Sequence, residues 1–205
     1  MRRSDSNTEM IISYGMILFA YLLGSIASAV VVCKLFGLAD PRNSGSGNPG
    51  ATNVMRLHGK KAAALTLSGD VLKGIVPVLL AKAFGSPELI IALCGLAAFM
   101  GHLFPVFFKF KGGKGVATLI GILFATHWFL GLAYITTWLL AALIFRYSSL
   151  SALLAALLTP LYSWYILHNE YFLISHILMA GMLIWRHRSN IRKLIEGTED
   201  KIGQT

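Results

Sequence analysis

The sequence predicts an all-α, polytopic membrane protein with seven transmembrane helices, an N-terminus outside and a cytoplasmic C-terminus. Of its 205 residues, 56% are apolar and only 13% are charged, whereas soluble domains carry about 25% charged residues. The apolar residues form runs close to the roughly 20 residues that an α-helix needs to cross a bilayer. Basic and uncharged connections alternate between these runs, as expected when each run crosses the membrane once.

Seven apolar segments define the predicted helices, within one integral-membrane domain over residues 1–205 that begins with a short N-terminal tail, residues 1–9. The segments are 10–36, 62–84, 88–108, 115–127, 128–146, 149–167 and 170–186. The first segment resembles a secretory signal peptide. It is too long for the apolar region of such a peptide and lacks a small-x-small cleavage site, so we interpret it as the first crossing.

The connections between the segments fall into two kinds. Loops 37–61 and 109–114, the turn at Arg146 and the tail from Arg186 hold 13 of the 18 lysines and arginines. The connections near 85–87, 127 and 168–170 hold none. Because lysine and arginine accumulate in cytoplasmic loops, the basic connections are predicted to face the cytoplasm. The net charge of +9 has the same origin, so it does not indicate nucleic-acid binding.

Residues 115–146 admit two interpretations. One very long helix would place Arg146 and the next basic cluster on opposite faces of the membrane and break the alternation. Two crossings of about 16 residues each reach only about 24 Å at a rise of 1.5 Å per residue, so they would thin the bilayer locally. The alternation favours two crossings.

Three polar stretches are predicted to face the cytoplasm together, and the first reads GSGNPGATN over 45–53, followed by Arg56. Its glycines free the backbone, and its Ser, Asn and Thr side chains offer neutral hydrogen bonds. Arg56 adds a guanidinium fork that holds phosphate oxygens in a bidentate manner. This composition indicates an anion site, because a loop that only contacts lipid headgroups needs no such fixed order of small polar residues.

The second stretch, GHLFPVFFKFKGGKGVAT over 101–118, places a glycine-rich loop before a new helix that begins near Val116. Glycines allow successive N–H groups to point at one spot, the helix N-terminus adds positive potential, and Lys114 supplies a full charge. Together these features predict a phosphate site. The loop is not a Walker A motif, because the G-x-x-x-x-G-K-[ST] spacing is absent and a helix precedes it.

The third stretch, WRHRSNIRKLIEG over 185–197, carries His187 and Asn190 three residues apart, on one face of a helix end. Histidine titrates near neutral pH, so His187 is a candidate base or hydrogen-bond donor. Asp70 and Lys73 have the same spacing inside the second segment. Charges inside a membrane are functional candidates, but this spacing also predicts a buried ion pair that fixes the helix, and we favour the ion pair.

Five motifs occur in order along nearly the whole chain: GSGNPGATN, D-x-x-K-G at 70–74, GHLFPVFFKFKGGKGVAT, RYSSL at 146–150 and HRSNI at 187–191. Together they resemble the bacterial acyl-phosphate:glycerol-3-phosphate acyltransferase family of the PlsY type. The resemblance implies an enzyme of the bacterial inner membrane, surrounded by membrane lipids, with its active site facing the cytoplasm. Such an enzyme moves a fatty acyl group from acyl phosphate to position 1 of glycerol 3-phosphate, giving lysophosphatidate and phosphate, without a cofactor or metal.

The resemblance also implies roles for individual residues. The implied catalytic residues are Ser46, Arg56, Lys114, His187 and Asn190, and the implied substrate-binding residues are Gly45, Gly47, Asn48, Asn53, Gly112, Gly113 and Gly115. Glu199 resembles a structural glutamate that trails the third motif. The chain departs from its relatives at residues 126–128, where THW replaces a turn that commonly contains proline, so the geometry of this turn is open.

The implied chemistry agrees with the polar stretches. Both substrates carry phosphate, so two glycine-rich anion sites with Arg56 and Lys114 match the charge that has to be bound. The substrate hydroxyl attacks the acyl carbonyl and phosphate leaves, so no enzyme nucleophile is required. Ser46, Asn190 and backbone N–H groups are candidate donors to the developing oxyanion. The group that takes the hydroxyl proton is either His187 or a substrate phosphate.

Two other functions fit the sequence less well. Acyltransferases that use acyl-CoA carry a His-x-x-x-x-Asp motif, and none of the six histidines is followed by an acidic residue at that spacing. A membrane transporter of phosphate or organophosphate is the remaining alternative. Such transporters often contain two related halves with a site at the midplane, whereas this chain shows no internal repeat and has its polar motifs at one face.

Overall fold

The computed structural model describes the backbone of residues 2–203 and the side chains of residues 10–203. Within these residues the structure is entirely helical, with nine α-helices, one short 3-10 helix and no β-strand. The α-helices are α1 (Arg2–Gly24), α2 (Ser28–Leu35), α3 (Ala51–Ala83), α4 (Glu88–Leu103), α5 (Val116–Thr126), α6 (Trp128–Phe145), α7 (Ser148–Leu167), α8 (Glu170–Arg186) and α9 (Arg188–Ile195). The 3-10 helix, Val106–Phe108, follows α4. The expected all-α fold is confirmed.

Four helical segments of the described chain are long and apolar enough to cross a membrane. They are Lys60–Ala83, Glu88–Phe108, Trp128–Phe145 and Ser148–Leu167. The pair Met10–Gly24 and Ser28–Leu35, bent by 49°, forms a fifth candidate span. With 11 residues, α5 is too short to cross a bilayer of full thickness, and α8 has 17. The protein is therefore a multi-pass membrane protein, and the count of seven crossings stays a prediction.

The two predicted kinds of connection lie at opposite ends of the bundle. At one end the basic connections contact one another: Arg56 pairs with Asp200, and Lys114 bonds to Asn190. At the other end Asn169, which caps α8, bonds to Glu88 at the start of α4. The alternation read from the sequence therefore matches the course of the chain. The course of the chain also brings the three polar stretches to the same end of the bundle.

Residues 115–146 form two helices separated only by His127. The backbone of His127 is extended (φ −160°, ψ 128°), and its Nδ1 caps α6 by accepting a hydrogen bond from the Phe129 N–H at 3.3 Å. Gly131 in α6 lies against the Phe124 ring in α5, where a Cβ atom would collide with that ring. Contact across so short a separation requires the chain to fold back at His127. The interpretation as one long helix is wrong, and the THW turn forms without proline.

The structure divides the first predicted segment and extends the second toward the N-terminus. Segment 10–36 is broken between α1 and α2, and Lys73 explains the break because its ammonium donates to the carbonyl of Ile26 at 2.8 Å. A continuous helix would use that carbonyl internally. α3 begins at Ala51, well before the predicted start at residue 62, and is interrupted at Gly59, where φ is 83°. Loop 37–61 therefore contains the first turns of α3.

Glycine contacts hold α3 close to α5 and α1 close to α4. A Cβ atom on Gly74 would collide with the Thr118 carbonyl oxygen, and one on Gly121 would collide with the backbone of α3. Gly24 and the backbone of Ala98 make the same kind of contact between α1 and α4. Small residues at helix interfaces permit this close approach inside a membrane. As a result, the glycine-rich loop before α5 has a fixed position relative to α3.

Candidate active site

Asn53 gives the first glycine-rich loop its shape. Its buried side-chain amide donates to the carbonyls of Pro41 (2.8 Å) and Ser44 (3.2 Å), and its Oδ1 accepts from the N–H of Ser46 at 3.0 Å. Gly45 has a φ of 60°, and a Cβ atom there would collide with Asn53 Oδ1. Asn53, predicted to bind substrate, thus uses both polar atoms inside the loop. Its role in this structure is to hold the backbone that presents Ser46.

Ser46, Gly47 and Asn48 form the tip of this loop. The N–H of Asn48 faces Ser46 Oγ at 3.5 Å, and Gly47 has a φ of 67°, which glycine adopts without strain. Within the described part of the chain, the backbone N–H groups of Ser46 and Asn48 and the Ser46 hydroxyl bond only inside their own loop. The hydroxyl and amide groups are therefore accessible to a ligand that reaches the tip.

The two arginines near the loop have different partners. Arg42 forms a forked ion pair with Asp40, with Nη2 2.6 Å from Oδ2, and its guanidinium lies 5.7 Å from the centre of the Phe108 ring. This contact links the first loop to the segment after α4. Arg56 pairs with Asp200 at 2.8 Å. Because exposed ion pairs contribute only about 0–1 kcal/mol, the Arg56 guanidinium remains available to an anion of higher charge.

The second glycine-rich loop is held from two sides. Arg186 at the end of α8 donates from Nη2 to the Gly112 carbonyl (2.6 Å) and from Nε to the Gly113 carbonyl (3.0 Å). The Gly113 N–H donates to the His102 carbonyl at 3.2 Å, and a Cβ atom on Gly113 would collide with the His102 ring. Gly115 caps α5 with a φ of 93°. These contacts leave no room for side chains, which explains the three glycines.

Lys114 belongs to a chain of hydrogen bonds that crosses the site. Its Nζ donates to Asn190 Oδ1 at 2.5 Å, and Asn190 Nδ2 donates to Glu199 Oε1 at 2.7 Å. The same Glu199 oxygen accepts from the Ser149 hydroxyl at 2.5 Å. Burial lowers the pKa of Lys114 to about 8; the Glu199 carboxylate opposes the shift and the Arg186 guanidinium adds to it. An arriving anion would therefore stabilise the charged form of Lys114.

His187 lies buried at the junction of α8 and α9. Its Nδ1 is 2.8 Å from the Leu183 carbonyl oxygen, which only accepts, so Nδ1 carries the proton. Burial lowers the pKa of His187 to about 4, and the nearby charges of Lys114 and Arg186 act in the same direction. The imidazole is therefore neutral near pH 7, with Nε2 as its hydrogen-bond acceptor.

A buried polar cluster connects the second loop to three helices and to the break after α1. Asp70 and Lys73 form the ion pair that their spacing predicts, with 2.8 Å between Oδ1 and Nζ. Lys73 also holds the Ile26 carbonyl, while His102 Nδ1 lies 3.1 Å from the Thr118 hydroxyl and 3.6 Å from Asp70. The cluster thus ties α3, α4 and α5 to the break after α1. The predicted buried ion pair is confirmed, and its contacts are structural.

The chain matches the family model described as glycerol-3-phosphate acyltransferase over residues 14–197. It belongs to this family. The chain is 53% identical over 194 residues to the glycerol-3-phosphate acyltransferase of Thioalkalivibrio sulfidiphilus, across 95% of this chain and 96% of the relative. It is 50% identical over 194 residues to that of Methylococcus capsulatus, across 95% of this chain and 98% of the relative. The resemblance drawn from the five motifs is confirmed at the level of the family.

Two crystal structures of PlsY (YgiH), an integral membrane glycerol 3-phosphate acyltransferase, share the fold of this family member. The glycerol 3-phosphate form has a TM-score of 0.89 and 43% identity, covering 93% of this chain and 96% of the other. The lysophosphatidic acid form has a TM-score of 0.87 and 41% identity, covering 94% and 96%. The helical arrangement described above is therefore that of a known membrane-embedded acyltransferase.

Four of the five residues predicted to be catalytic in this family member lie close together. Lys114 and Asn190 are in direct contact, and Lys114 is near enough to His187 for its charge to lower the pKa of that ring. Arg56 also interacts electrostatically with Lys114. Ser46, by contrast, bonds only within its own loop in the described structure. The catalytic and binding roles of these residues stay predictions.

Sequence reasoning missed three residues that shape the site. Arg186 holds two loop carbonyls, His102 holds a loop N–H, and Asp200 pairs with Arg56. Arg186 and His102 lie inside two of the polar stretches that the sequence predicts to form the site, so the sequence indicated that they are near it. Their partners are backbone groups, which residue identities do not reveal. No sequence signal pointed to Asp200.

Proposed function

We propose that this chain transfers a fatty acyl group from acyl phosphate to the position-1 hydroxyl of glycerol 3-phosphate, producing lysophosphatidate and phosphate. Membership of the glycerol-3-phosphate acyltransferase family supports the acceptor and a place in phospholipid synthesis. The observation that carries the proposal is the contact network at one end of the bundle. Lys114 reaches Glu199 through Asn190, and the neighbouring Asp200 reaches Arg56. Cations from both glycine-rich loops thus lie together, as two phosphate-bearing substrates require.

The proposed reaction needs no enzyme nucleophile. The acceptor hydroxyl attacks the acyl carbonyl carbon, the C–O bond to phosphate breaks, and phosphate leaves with the bonding electron pair. Negative charge develops on the carbonyl oxygen, where Ser46, Asn190 or loop N–H groups are suited to stabilise it. Arg56 and Lys114 balance the charge of the phosphate groups, and the apolar helices accommodate the acyl chain.

In this proposal His187 orients the acceptor hydroxyl and a substrate phosphate takes its proton. With its pKa lowered to about 4, the neutral His187 ring is a weak base at physiological pH. Phosphate monoesters titrate near pH 6, and one lies in the substrate itself. The Nδ1–H bond to the Leu183 carbonyl leaves Nε2 to accept a hydrogen bond from the other hydroxyl of glycerol 3-phosphate, so the proton of the position-1 hydroxyl stays available to the phosphate.

We also propose seven crossings of the bacterial inner membrane, with the site and the C-terminus on the cytoplasmic side and the N-terminus outside. The bent pair α1–α2 and each of the helices α3 to α8 would cross once, with α5 in a locally thinned bilayer. The clustering of basic connections at the end that holds the site supports this orientation. Glycerol 3-phosphate would then enter from the cytoplasm.

The choice of acyl donor tests the proposed activity directly. The purified protein is expected to acylate labelled glycerol 3-phosphate from acyl phosphate, and not from acyl-CoA or acyl carrier protein. The reason is that the site presents cations to a small anionic leaving group. Lys114→Ala serves as the control, because the second loop then loses its only full charge and the activity should collapse. Turnover with acyl-CoA alone would refute the donor, and no turnover with any donor would refute the acyl transfer.

The role of His187 is separable by two substitutions. His187→Gln keeps a donor and an acceptor but cannot titrate, so it is expected to retain most of kcat if the ring only orients substrate. General-base catalysis typically contributes roughly 10²–10⁴ in rate, so a true base would lose that factor in both His187→Ala and His187→Gln. Steady-state kinetics over roughly 2 pH units on either side of neutrality decide between the orienting role and the general-base role. A Gln variant as inactive as the Ala variant contradicts the orienting role.

Single-cysteine labelling tests the proposed orientation in a background without Cys33 and Cys94. Ser44→Cys and Lys201→Cys lie at the end of the bundle that holds the site, and Glu170→Cys lies at the other end. The first two are expected to react with an impermeant maleimide only from the cytoplasmic side, and the third only from outside. Labelling of Ser44→Cys and Lys201→Cys from different sides would exclude the seven-crossing arrangement.

A further inference from the structure

Arg186 binds the backbone of the second glycine-rich loop with two N–H groups of its guanidinium. Nη2 is 2.6 Å from the Gly112 carbonyl oxygen and Nε is 3.0 Å from the Gly113 carbonyl oxygen. The guanidinium is planar, and its donors form a rigid fork. Two consecutive peptide planes are therefore fixed by a single side chain that belongs to another helix.

The guanidinium itself is held in place by aromatic rings. Its Cζ lies 5.9 Å from the ring centre of Phe104 and 5.9 Å from that of Trp185. The two rings are 6.2 Å apart, and the Phe104 carbonyl accepts a hydrogen bond from the Tyr21 hydroxyl at 2.8 Å. Arginine stacks favourably on aromatic faces. The fork is thus anchored to α1, α4 and α8 before it reaches the loop.

This anchoring decides where the loop N–H groups point. In a trans peptide the C=O and N–H groups face opposite directions. Because Arg186 holds the Gly113 carbonyl, the Lys114 N–H is turned away from the guanidinium. The N–H groups of Lys114 and Gly115 donate to no protein atom in the described part of the chain, whereas the Gly113 N–H is already bonded to His102. Of the two peptide planes that Arg186 holds, only the plane of Gly113 and Lys114 therefore carries a free N–H group, that of Lys114.

We propose that Arg186 is a positioning residue that orients the free N–H group of Lys114 toward a bound phosphate. Arg186 acts through the loop backbone, because its Nε and Nη2 groups donate to the two glycine carbonyls. Glycine has no side-chain restraint on its conformation, so the loop depends on this external fork to keep one shape. The identity of that phosphate as glycerol 3-phosphate rests on the proposed function, whereas the positioning of the Lys114 N–H group does not.

The test measures the affinity of inorganic phosphate for the purified full-length protein by calorimetry. Arg186→Lys keeps the charge but replaces the fork with a single ammonium, so the dissociation constant is expected to rise roughly ten- to a hundredfold. Arg188→Lys is the matched control, because the exposed Arg188 contacts Trp185 and not the loop. It should leave the affinity within about twofold, the scatter expected of an exposed charge-conserving change.

Chemical rescue separates positioning from simple support of the fold. Arg186→Ala should bind phosphate weakly, and added methylguanidinium should restore much of the affinity while methylammonium should not, because only a planar fork spans both carbonyls. Three outcomes overturn the proposal: wild-type affinity in Arg186→Lys, equal weakening in Arg188→Lys, or no phosphate binding by the wild type.

Turnover measured on the same variants tells a failure of the proposed function from a failure of this inference. In Arg186→Lys the KM for glycerol 3-phosphate is expected to rise by a larger factor than kcat falls. A wild type that binds phosphate through the loop but transfers no acyl group would refute the acyltransferase proposal and leave the role of Arg186 standing. If the wild type transfers the acyl group and Arg186→Lys has an unchanged KM, the role of Arg186 is refuted and the acyltransferase proposal stands.

Discussion

The hydrogen bond between Lys114 and Asn190 is the interaction on which the rest of the site depends. It joins the loop before α5 to α9, and through Glu199 it extends to the start of α7 and the C-terminal segment. Burial disfavours the charged form of Lys114, and the Glu199 carboxylate offsets this effect only in part. A phosphate dianion would stabilise that charge more strongly than Asn190 does. The site is thus organised in advance for an anion, so little rearrangement is needed when the charge of a reacting substrate develops.

The fold places this interaction through contacts that are neither catalytic nor exposed. Glycine contacts bring α5 against α3, and the Asp70–Lys73 pair with His102 locks the same helices beneath the loop. Removing one partner of a buried ion pair leaves an uncompensated charge, so these residues constrain one another strongly. The broken end of α1 belongs to the same arrangement, because its free Ile26 carbonyl receives Lys73. Irregular backbone at membrane depth is tolerated where protein groups satisfy it.

The residue pattern predicted the fold class, the two ends of the bundle and the meeting of three polar stretches, because apolar run length and loop charge depend directly on residue type. It also predicted the Asp70–Lys73 pair, whose spacing is local. It did not predict the break between α1 and α2 or the fork of Arg186, since both depend on side chains that reach backbone carbonyls of distant elements. Asn53 illustrates the same limit: its residue type suggested a ligand contact, which stays a prediction, and gave no sign that its amide shapes the loop.

The dependence of glycerol 3-phosphate affinity on pH tests most directly whether Lys114 is the cation that receives substrate. The substrate phosphate is already dianionic above its pKa near 6, so it does not titrate further in this range. Lys114, with a pKa of about 8, is charged below that pH and loses its proton above it. The dissociation constant should therefore rise by no more than about twofold between pH 7 and 8 and approach a tenfold rise per pH unit above that. Lys114→Gln should bind more weakly with no such rise. A wild-type dissociation constant that stays flat up to about pH 10, roughly 2 units above the Lys114 midpoint, would contradict the central place given to Lys114. A rise that persists in Lys114→Gln would contradict it as well.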